Sequence, residues 1–136
     1  MKYLLDTNII SDARRKGPSP VTGWLSTQRI RDLAISAITL LEIDVGVRLK
    51  ERKDPQAGAV LRHWFDHQVR EAFVGRVLSI DEAVAMRASQ LHVPDPMPDM
   101  DSLIAATALE HSLTLVTRNT ADFERTGATL LNPWDG

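Results

Sequence analysis

The sequence predicts an α/β fold in three layers, with a mostly parallel sheet of roughly five strands covered by helices on both faces. Short apolar runs typical of buried strands alternate along the chain with longer segments that repeat apolar residues at helical spacing. Strands joined through helices in this way pair in parallel. The 136 residues, 43% hydrophobic and 25% charged, are ordinary for one globular domain covering residues 1–136.

Five short apolar segments are predicted to be strands. Each is only a few residues long and is bounded by residues that begin a helix or a turn, which is typical of strands in a parallel sheet. In chain order the predicted strands are residues 2–5, 33–35, a segment within 74–80, 113–117 and 129–131.

Helices are predicted between these strands from capping and breaking residues. Thr7 or Asn8 can cap a short helix to about Arg15, and Ser19 followed by Pro20 begins a second one. The longer predicted helices follow Ser36, Pro55, Asp81 and the three prolines at 94, 96 and 98, and they cover about residues 37–53, 55–69, 82–91 and 100–111.

Composition excludes several classes of site. The chain has no cysteine, so disulfides, thiolate metal sites and a cysteine nucleophile are excluded, and a reducing cytoplasmic location is expected. The apolar run Tyr3–Leu5 is far too short for a signal peptide, and no stretch approaches the roughly 20 apolar residues of a membrane span. We therefore expect no membrane association.

The net charge of −2 predicts no strong, indiscriminate binding to nucleic acid. Charge is nevertheless segregated, because basic clusters occur at residues 14–16 and 48–53. These clusters are either solvated helix ends or contacts for an RNA backbone.

Three acidic residues carry the strongest functional signal. Asp6 ends the first predicted strand, Glu42 lies just inside the helix after the second, and Asp101 opens the small-residue helix before the fourth. Strand ends and the helices that follow them line one crevice in a parallel sheet. Carboxylates gathered there repel one another unless a cation lies between them, and oxygen ligands suit Mg²⁺ or Mn²⁺. The pattern predicts a metal-dependent enzyme that cleaves phosphodiester bonds.

Each acid alone has a plain structural explanation. Asp6 can be a turn or cap residue, Asp101 can stabilise its helix N-terminus, and Glu42 can pair with Arg48. As a set, acids placed among buried apolar neighbours require neutralisation. The segment after the fourth strand adds Asn119 or Asp122 as a fourth oxygen ligand and Thr117 as a hydroxyl. Arg118 is a candidate phosphate contact, with a simple surface role as the alternative.

Four segments together resemble the PIN domain, and more narrowly a VapC-type toxin of a bacterial toxin–antitoxin pair. They occur in the family's order, and the resemblance spans the chain from Leu4 to Trp134. The closing Leu131 to Trp134 resembles the FitB-like branch. The four segments are Leu-Asp-Thr-Asn, Ser-Ala-Ile-Thr-Leu-Leu-Glu, Asp-Ser-Leu-Ile-Ala-Ala-Thr-Ala and Leu-Val-Thr-Arg-Asn-Thr-Ala-Asp-Phe.

The resemblance implies an Mg²⁺- or Mn²⁺-dependent endoribonuclease toxin, inhibited by a cognate VapB-like antitoxin. It also implies a homodimer, a toxin–antitoxin hetero-oligomer, and contact with operator DNA only through the antitoxin. Asn119 stands where some relatives carry Asp, and Asp122 can supply the missing charge. The predicted catalytic residues are Asp6, Glu42, Asp101 and Asn119, and the predicted metal ligands are Asp6, Glu42, Asp101 and Asp122.

Other functions fit the sequence less well. A weakly or non-catalytic PIN module that acts with an antitoxin as a DNA-bound regulatory complex is the main alternative. A phospho-accepting signalling domain fits poorly, because Ser36 rather than Asp follows the second strand and Arg118 rather than Lys follows Thr117. His63 and His67 share a helix face but lack the intervening Glu of a zinc protease motif.

Overall fold

The sheet has five strands, all parallel, in the order β3-β2-β1-β4-β5. In this computed structural model, residues 1–15 and 17–135 are described. Lys16 of the predicted basic cluster lies outside them. The predicted α/β class with a mostly parallel sheet is confirmed. The strands are β1 (Tyr3–Leu5), β2 (Leu33–Ser36), β3 (Val77–Leu78), β4 (Thr114–Val116) and β5 (Leu130–Leu131).

Helices connect successive strands and agree closely with the predicted segments. A π-helical turn at Phe65–Val69 continues α4 into α5, and 3₁₀ turns occupy Ile30–Asp32 and Glu124–Thr126. Within the described part of the chain, no helix combines the length and apolar character needed to cross a membrane. The α-helices are α1 (Thr7–Ala13), α2 (Pro20–Ser26), α3 (Ala37–Lys53), α4 (Pro55–Trp64), α5 (Arg70–Ala72), α6 (Glu82–Leu91), α7 (Asp99–Glu110) and α8 (Thr120–Phe123).

Capping residues fix where most helices begin. The Ser19 hydroxyl accepts a hydrogen bond from the backbone nitrogen of Thr22, and Ser36 and Asp81 cap α3 and α6 as predicted. One prediction is wrong: α1 is capped by Asp6 rather than by Thr7 or Asn8. Asp6 is the single residue between β1 and α1, so it both follows the strand and caps the helix.

The core has two halves, one on each face of the sheet. Successive strand residues point to opposite faces, so each central strand contributes to both halves. Leu5, Ile35 and Val116 pack beneath α1 to α5, whereas Leu4, Ala34 and Leu115 pack against α7 and α8. This burial on both sides fixes the carboxyl ends of β1, β2 and β4 at one edge, where the predicted acids lie.

Arg62 joins α3 to α4 near their shared turn at Asp54. Its guanidinium nitrogens lie 2.8 Å from a carboxylate oxygen of Asp44 and 3.0 Å from one of Glu51. The hydrogen bond from Arg48 and then that from Arg62 lower the pKa of Asp44, and Arg62 lowers the pKa of Glu51. These acids therefore already have cationic partners.

Gly58 permits the close approach of α4 to α3. A Cβ at this position would meet the Cα of Glu51 and lie 2.7 Å from its backbone nitrogen. We expect Gly58→Ala to lower the free energy of unfolding by about 1–3 kcal/mol, because two backbones would have to separate. Gly46→Ala in α3 is the matched control, since nothing lies within 4 Å of its added Cβ.

Gly46→Ala is expected to be neutral or to stabilise by up to about 1 kcal/mol, from helix propensity alone. Urea denaturation of both variants measures the difference. Equal stability of the two variants would show that the close contact at Gly58 relaxes freely.

Candidate metal centre at the carboxyl edge of the sheet

Asp6 lies at the centre of the sheet edge. Its backbone nitrogen donates to the carbonyl of Val116 at 2.9 Å, which extends the pairing of β1 with β4 by one residue. Only 7% of Asp6 is exposed. A carboxylate is thus held in a largely dehydrated position at the junction of the two central strands.

Three neighbouring groups hydrogen bond to the Asp6 carboxylate. The Thr7 backbone nitrogen donates to Oδ1 at 2.8 Å, and the Thr117 hydroxyl donates to Oδ2 at 2.8 Å. The Asn8 side-chain amide donates to the same Oδ2 at 3.3 Å. The predicted hydroxyl at Thr117 is therefore at the site, and in this structure it orients Asp6.

Glu42 is positioned from the first turns of α3, which begins where β2 ends. The Thr7 hydroxyl donates to Glu42 Oε1 at 2.6 Å and lies 3.4 Å from the buried Thr39 hydroxyl. Thr7 therefore connects the start of α1 to α3. Sequence reasoning treated Thr7 as a possible helix cap and missed this contact, because the partner is 35 residues away in the chain.

Asp101 lies in the first turn of α7, and nearby contacts fix that turn. The Ser102 hydroxyl donates to the backbone carbonyl of Asp99 at 2.7 Å, and His92 Nε2 lies 3.0 Å from the same hydroxyl. His92 is the C-terminal cap residue of α6, and it also contacts the turn that carries Asp101. Neither Ser102 nor His92 was identified from the sequence as a neighbour of the site.

Burial and mutual repulsion disfavour the charged forms of two of these acids. Burial, opposed by hydrogen bonds from Thr117 and Thr7, raises the pKa of Asp6, and the charges of Glu42 and Asp101 raise it further. Burial, then the charge of Asp122, then that of Glu42, raises the pKa of Asp101. These four acids thus form an electrostatically coupled group.

The acidic group lacks an ion-pair partner in the described part of the chain. Among residues 1–15 and 17–135, none of the ion pairs includes Asp6, Glu42, Asp101 or Asp122. Asp44 and Glu51, on the contrary, have pKa values lowered by arginine. Carboxylates that repel one another without a cationic partner are suited to a divalent cation, and their oxygen-only chemistry fits Mg²⁺ or Mn²⁺.

The acids converge on one edge without enclosing a common point. In the part of the chain that the structure describes, no three histidine or acidic side chains are already arranged around a metal position. Glu42 is engaged by Thr7, and Asp6 by Thr117 and Asn8. Holding one ion would therefore require side-chain rotation, for which the half-buried Glu42 and Asp101 have room.

The two candidates for the fourth position lie on the loop and helix after β4. The Asn119 backbone nitrogen donates to the Thr117 hydroxyl at 3.0 Å, and its side chain is exposed. Asp122 lies in α8 and is close enough to Asp101 to raise its pKa. The structure thus brings Asp122 electrostatically into the acidic group and leaves Asn119 at its rim.

A cleft of about 520 Å³ opens beside Glu42, between α1, α3 and α4. Its polar side is formed by Thr7, Arg14 and Arg15, and its apolar side includes Leu61 and Trp64. Arg14 and Arg15 of the predicted basic cluster therefore line the same cleft as Glu42. The second cluster, at the end of α3, is not among the residues lining this cleft.

The raised pKa values predict how stability depends on pH in the absence of metal. A native pKa above the unfolded value gives a stabilising contribution that is complete below the unfolded value, near 3.8, and is lost as pH rises through the native value. In Asp101→Asn the side chain cannot ionise, so the variant does not lose stability in this way as pH rises. We therefore expect the variant to exceed the wild type in melting temperature at neutral pH with EDTA.

The advantage of Asp101→Asn should shrink as pH falls, because the wild-type carboxyl becomes protonated and neutral. Thermal denaturation of both proteins, from neutral pH down to the unfolded value near 3.8, measures the difference in their melting temperatures. A difference independent of pH would mean that repulsion at Asp101 is negligible.

Comparison with known proteins identifies the family of this chain. The family model described as PIN domain matches residues 3–128. Toxin FitB of Neisseria gonorrhoeae is 36% identical over 96% of this chain and 97% of its own length. VapC ribonuclease Y4jK of Sinorhizobium fredii is 31% identical over 97% of each chain.

Solved structures of related complexes have the same fold. FitAcB from Neisseria gonorrhoeae aligns with a TM-score of 0.89 at 36% identity, covering 97% of this chain and 98% of the other. FitAB bound to an IR36 DNA fragment aligns with a TM-score of 0.88 at 34% identity, covering 97% and 95%. The parallel sheet, the acids at its carboxyl edge and these similarities together assign the chain to the PIN-domain family, among relatives that include FitB and VapC ribonucleases.

Proposed function

We propose that this chain is an Mg²⁺- or Mn²⁺-dependent endoribonuclease toxin that hydrolyses phosphodiester bonds in RNA. The observation that carries the proposal is the acidic group at the sheet edge, in which burial and repulsion raise the pKa values of Asp6 and Asp101. The names of the relatives, Toxin FitB and VapC ribonuclease, support the same activity. We propose that residues 1–136 act as one domain in the cytoplasm.

Asp6, Glu42, Asp101 and Asp122 would hold the cation in this proposal. When bound, a divalent cation polarises the scissile phosphate and makes water a stronger nucleophile at neutral pH. Thr117 and Asn8 keep Asp6 oriented, and Thr7 contacts Glu42. Single-stranded or looped RNA is the proposed substrate, because its backbone can follow an open edge more readily than an A-form duplex.

Asn119 and Asp122 have separate roles in the proposal. Asp122 adds negative charge beside Asp101, and the exposed Asn119 amide contacts the substrate at the rim of the site. Asp122→Ala would then weaken metal binding, whereas Asn119→Ala would lower turnover with little change in metal affinity. A Mn²⁺ titration combined with cleavage kinetics separates the two effects.

A VapB-like antitoxin is the proposed inhibitory partner. An apolar groove of about 300 Å³ lies between α2, α4 and α5 and shares Trp64 with the cleft beside Glu42. An antitoxin segment lying along both would cover the acids and bury apolar surface. The apolar groove is lined mainly by Ile10, Leu25, Leu33, Trp64, Val69 and Phe73.

A homodimer is proposed through one face of α3. Leu41, Val45 and Leu49 recur at intervals of four residues and are 44%, 47% and 65% exposed. Exposed apolar side chains in one row are typical of a protein–protein interface. Val45→Lys would place a charge in the middle of this row and is expected to convert the dimer to a monomer in light scattering.

A second candidate function is a weakly catalytic or non-catalytic module in a DNA-bound regulatory complex. The related FitAB structure bound to DNA favours it. In this case operator DNA would be contacted only through the antitoxin. The two candidates differ in one property, which is cleavage of RNA by the isolated chain.

Incubation of purified protein with total cellular RNA tests the proposed function. Discrete fragments are expected with Mg²⁺ or Mn²⁺, and excess EDTA should prevent their formation. Intact RNA under all metal conditions, with the protein folded and metal binding demonstrated by titration, would favour the regulatory module instead.

A further inference from the structure

A small recess adjoins the cleft beside Glu42 and shares Ser11 and Arg15 with it. Its volume is about 160 Å³, and it lies between α1, the loop after β4 and the C-terminal turn. We call it the Arg118 recess. It is lined by Asn8, Ser11, Asp12, Arg15, Arg118 and Trp134.

Arg118 is held in place from both its side chain and its backbone. Its guanidinium carbon lies 4.8 Å from the centroid of the Trp134 ring, which is a cation–π contact. Its backbone nitrogen donates to Asn8 Oδ1 at 3.3 Å, and its carbonyl accepts from Asn132 at 3.2 Å. Asn132 also accepts from the Trp134 backbone nitrogen at 2.9 Å, so the loop and the C-terminal turn are joined.

The Arg118 guanidinium has no acceptor within the described residues. Within residues 1–15 and 17–135, neither a hydrogen bond nor an ion pair involves its nitrogens, whereas Arg125 donates to two carbonyls and Arg62 to two carboxylates. Its donors are therefore available to a ligand. Because the side chain is already held against a ring, binding would immobilise it further at little entropic cost.

The Arg118 recess is positively charged beside a negatively charged site. Arg15 has 78% of its side chain exposed and lies 3.8 Å from Asp12, whose carboxylate also accepts from the Ser19 hydroxyl at 3.1 Å. Two guanidinium groups therefore face one partly compensated carboxylate. An RNA strand reaching the acids would be repelled by them, and cations beside the acids offset that repulsion.

Asn8 connects this recess to the acidic group. Its amide nitrogen lies 3.3 Å from Asp6 Oδ2, and its amide oxygen accepts from Arg118. Asn8 thus contacts Asp6 on one side and the Arg118 backbone on the other, and it also lines the recess. On one RNA strand, a phosphate bound in the recess would therefore be near the phosphate that lies at Asp6.

We propose that Arg118, held by Trp134, and Arg15 bind a backbone phosphate of single-stranded RNA adjacent to the scissile one. This inference rests on the proposed ribonuclease function. It assigns phosphate contact to the Arg118 recess and makes Trp134 a positioning residue. This contact recognises the charge and the spacing of the backbone phosphates and does not depend on the base sequence.

Fluorescence anisotropy with a labelled single-stranded RNA of mixed sequence tests the proposal. The parent is full-length Asp6→Asn protein, so that the RNA stays intact, and binding is measured between about 50 and 200 mM salt. Arg118→Gln is expected to weaken RNA binding about fivefold, because loss of one exposed charge contact has an effect of about this size. The slope of log affinity against log salt should fall by about 0.7, the value for one phosphate of a single strand.

Two further variants separate the recess from general charge. Arg118→Lys keeps the charge, so its salt slope should equal that of the parent. Arg29→Gln removes an exposed arginine before β2, at the opposite edge of the sheet, and should leave both affinity and slope unchanged. If Arg118→Gln alters the melting temperature, Arg15→Gln, at a highly exposed side chain, gives the same test.

The outcomes distinguish this inference from the proposed function. RNA binding by the parent that is unaffected by Arg118→Gln and Arg15→Gln would overturn the phosphate site and leave the ribonuclease proposal standing. An equal loss with Arg29→Gln would also overturn it, because the effect would then be one of net charge. If the parent did not bind RNA and the wild type did not cleave it, both proposals would be overturned.

Discussion

Asp6→Asn is expected to lower the rate of RNA cleavage about a thousandfold, because several kcal/mol of cation-dependent stabilisation would be lost from the transition state. Asp6 is the most buried member of the acidic group and lies at the junction of the two central strands. Asparagine keeps an oxygen that can accept from Thr7 and removes the charge. Cleavage of a labelled RNA under single-turnover conditions measures the effect.

Asp54→Asn provides a matched control for this substitution. Asp54 also caps a helix, since its side chain accepts from the Ala57 backbone nitrogen at 3.2 Å, but it lies at the turn between α3 and α4. Its replacement should leave cleavage unchanged. Wild-type activity in a carefully purified Asp6→Asn sample would contradict the assignment of Asp6 to the metal centre.

Thr117→Val is expected to weaken Mn²⁺ binding about 10- to 100-fold, although Thr117 need not touch the ion. Loss of a side chain that orients a metal ligand has effects of this size. The Thr117 hydroxyl is fully buried and donates to Asp6 Oδ2, so valine leaves that oxygen with only the longer contact from Asn8. Calorimetric titration of Mn²⁺ into the protein without RNA measures the affinity.

Thr117→Ser separates the hydroxyl from the packing of the side chain. Serine keeps the donor and loses one methyl group, so we expect near wild-type Mn²⁺ affinity with slightly lower stability. Equal weakening by serine and valine would attribute the effect to packing rather than to the hydrogen bond with Asp6.

Much of the fold follows from local signals in the sequence. Ser36 and Asp81 can be predicted as caps, because a short oxygen-bearing side chain before an apolar periodic segment satisfies free backbone nitrogens. The cap of α1 was assigned one or two residues too late. Asp6 both ends β1 and caps α1, and Thr7 and Asn8 were compatible with the cap position because they also carry short oxygen-bearing side chains.

The acids could be predicted to share an edge, but their hydrogen-bond partners could not. Thr117 and Asp6 are 111 residues apart and meet because β4 pairs directly with β1. The sequence does not reveal that strand order. Helical spacing likewise does not decide which apolar residues of α4 are buried: Leu61 and Trp64 pack against the core, whereas Val60 is 67% exposed.

The measurement that tests the central claim most directly is anomalous diffraction from crystals of this protein grown with Mn²⁺. We expect a single strong site, or two adjacent ones, bounded by the carboxylates of Asp6, Glu42 and Asp101, with Asp122 nearby. The peak should disappear in Asp6→Asn crystals grown in the same way. A Mn²⁺ site elsewhere on the molecule, or persistence of the peak without the Asp6 carboxylate, would contradict the assignment of this sheet edge as the metal centre.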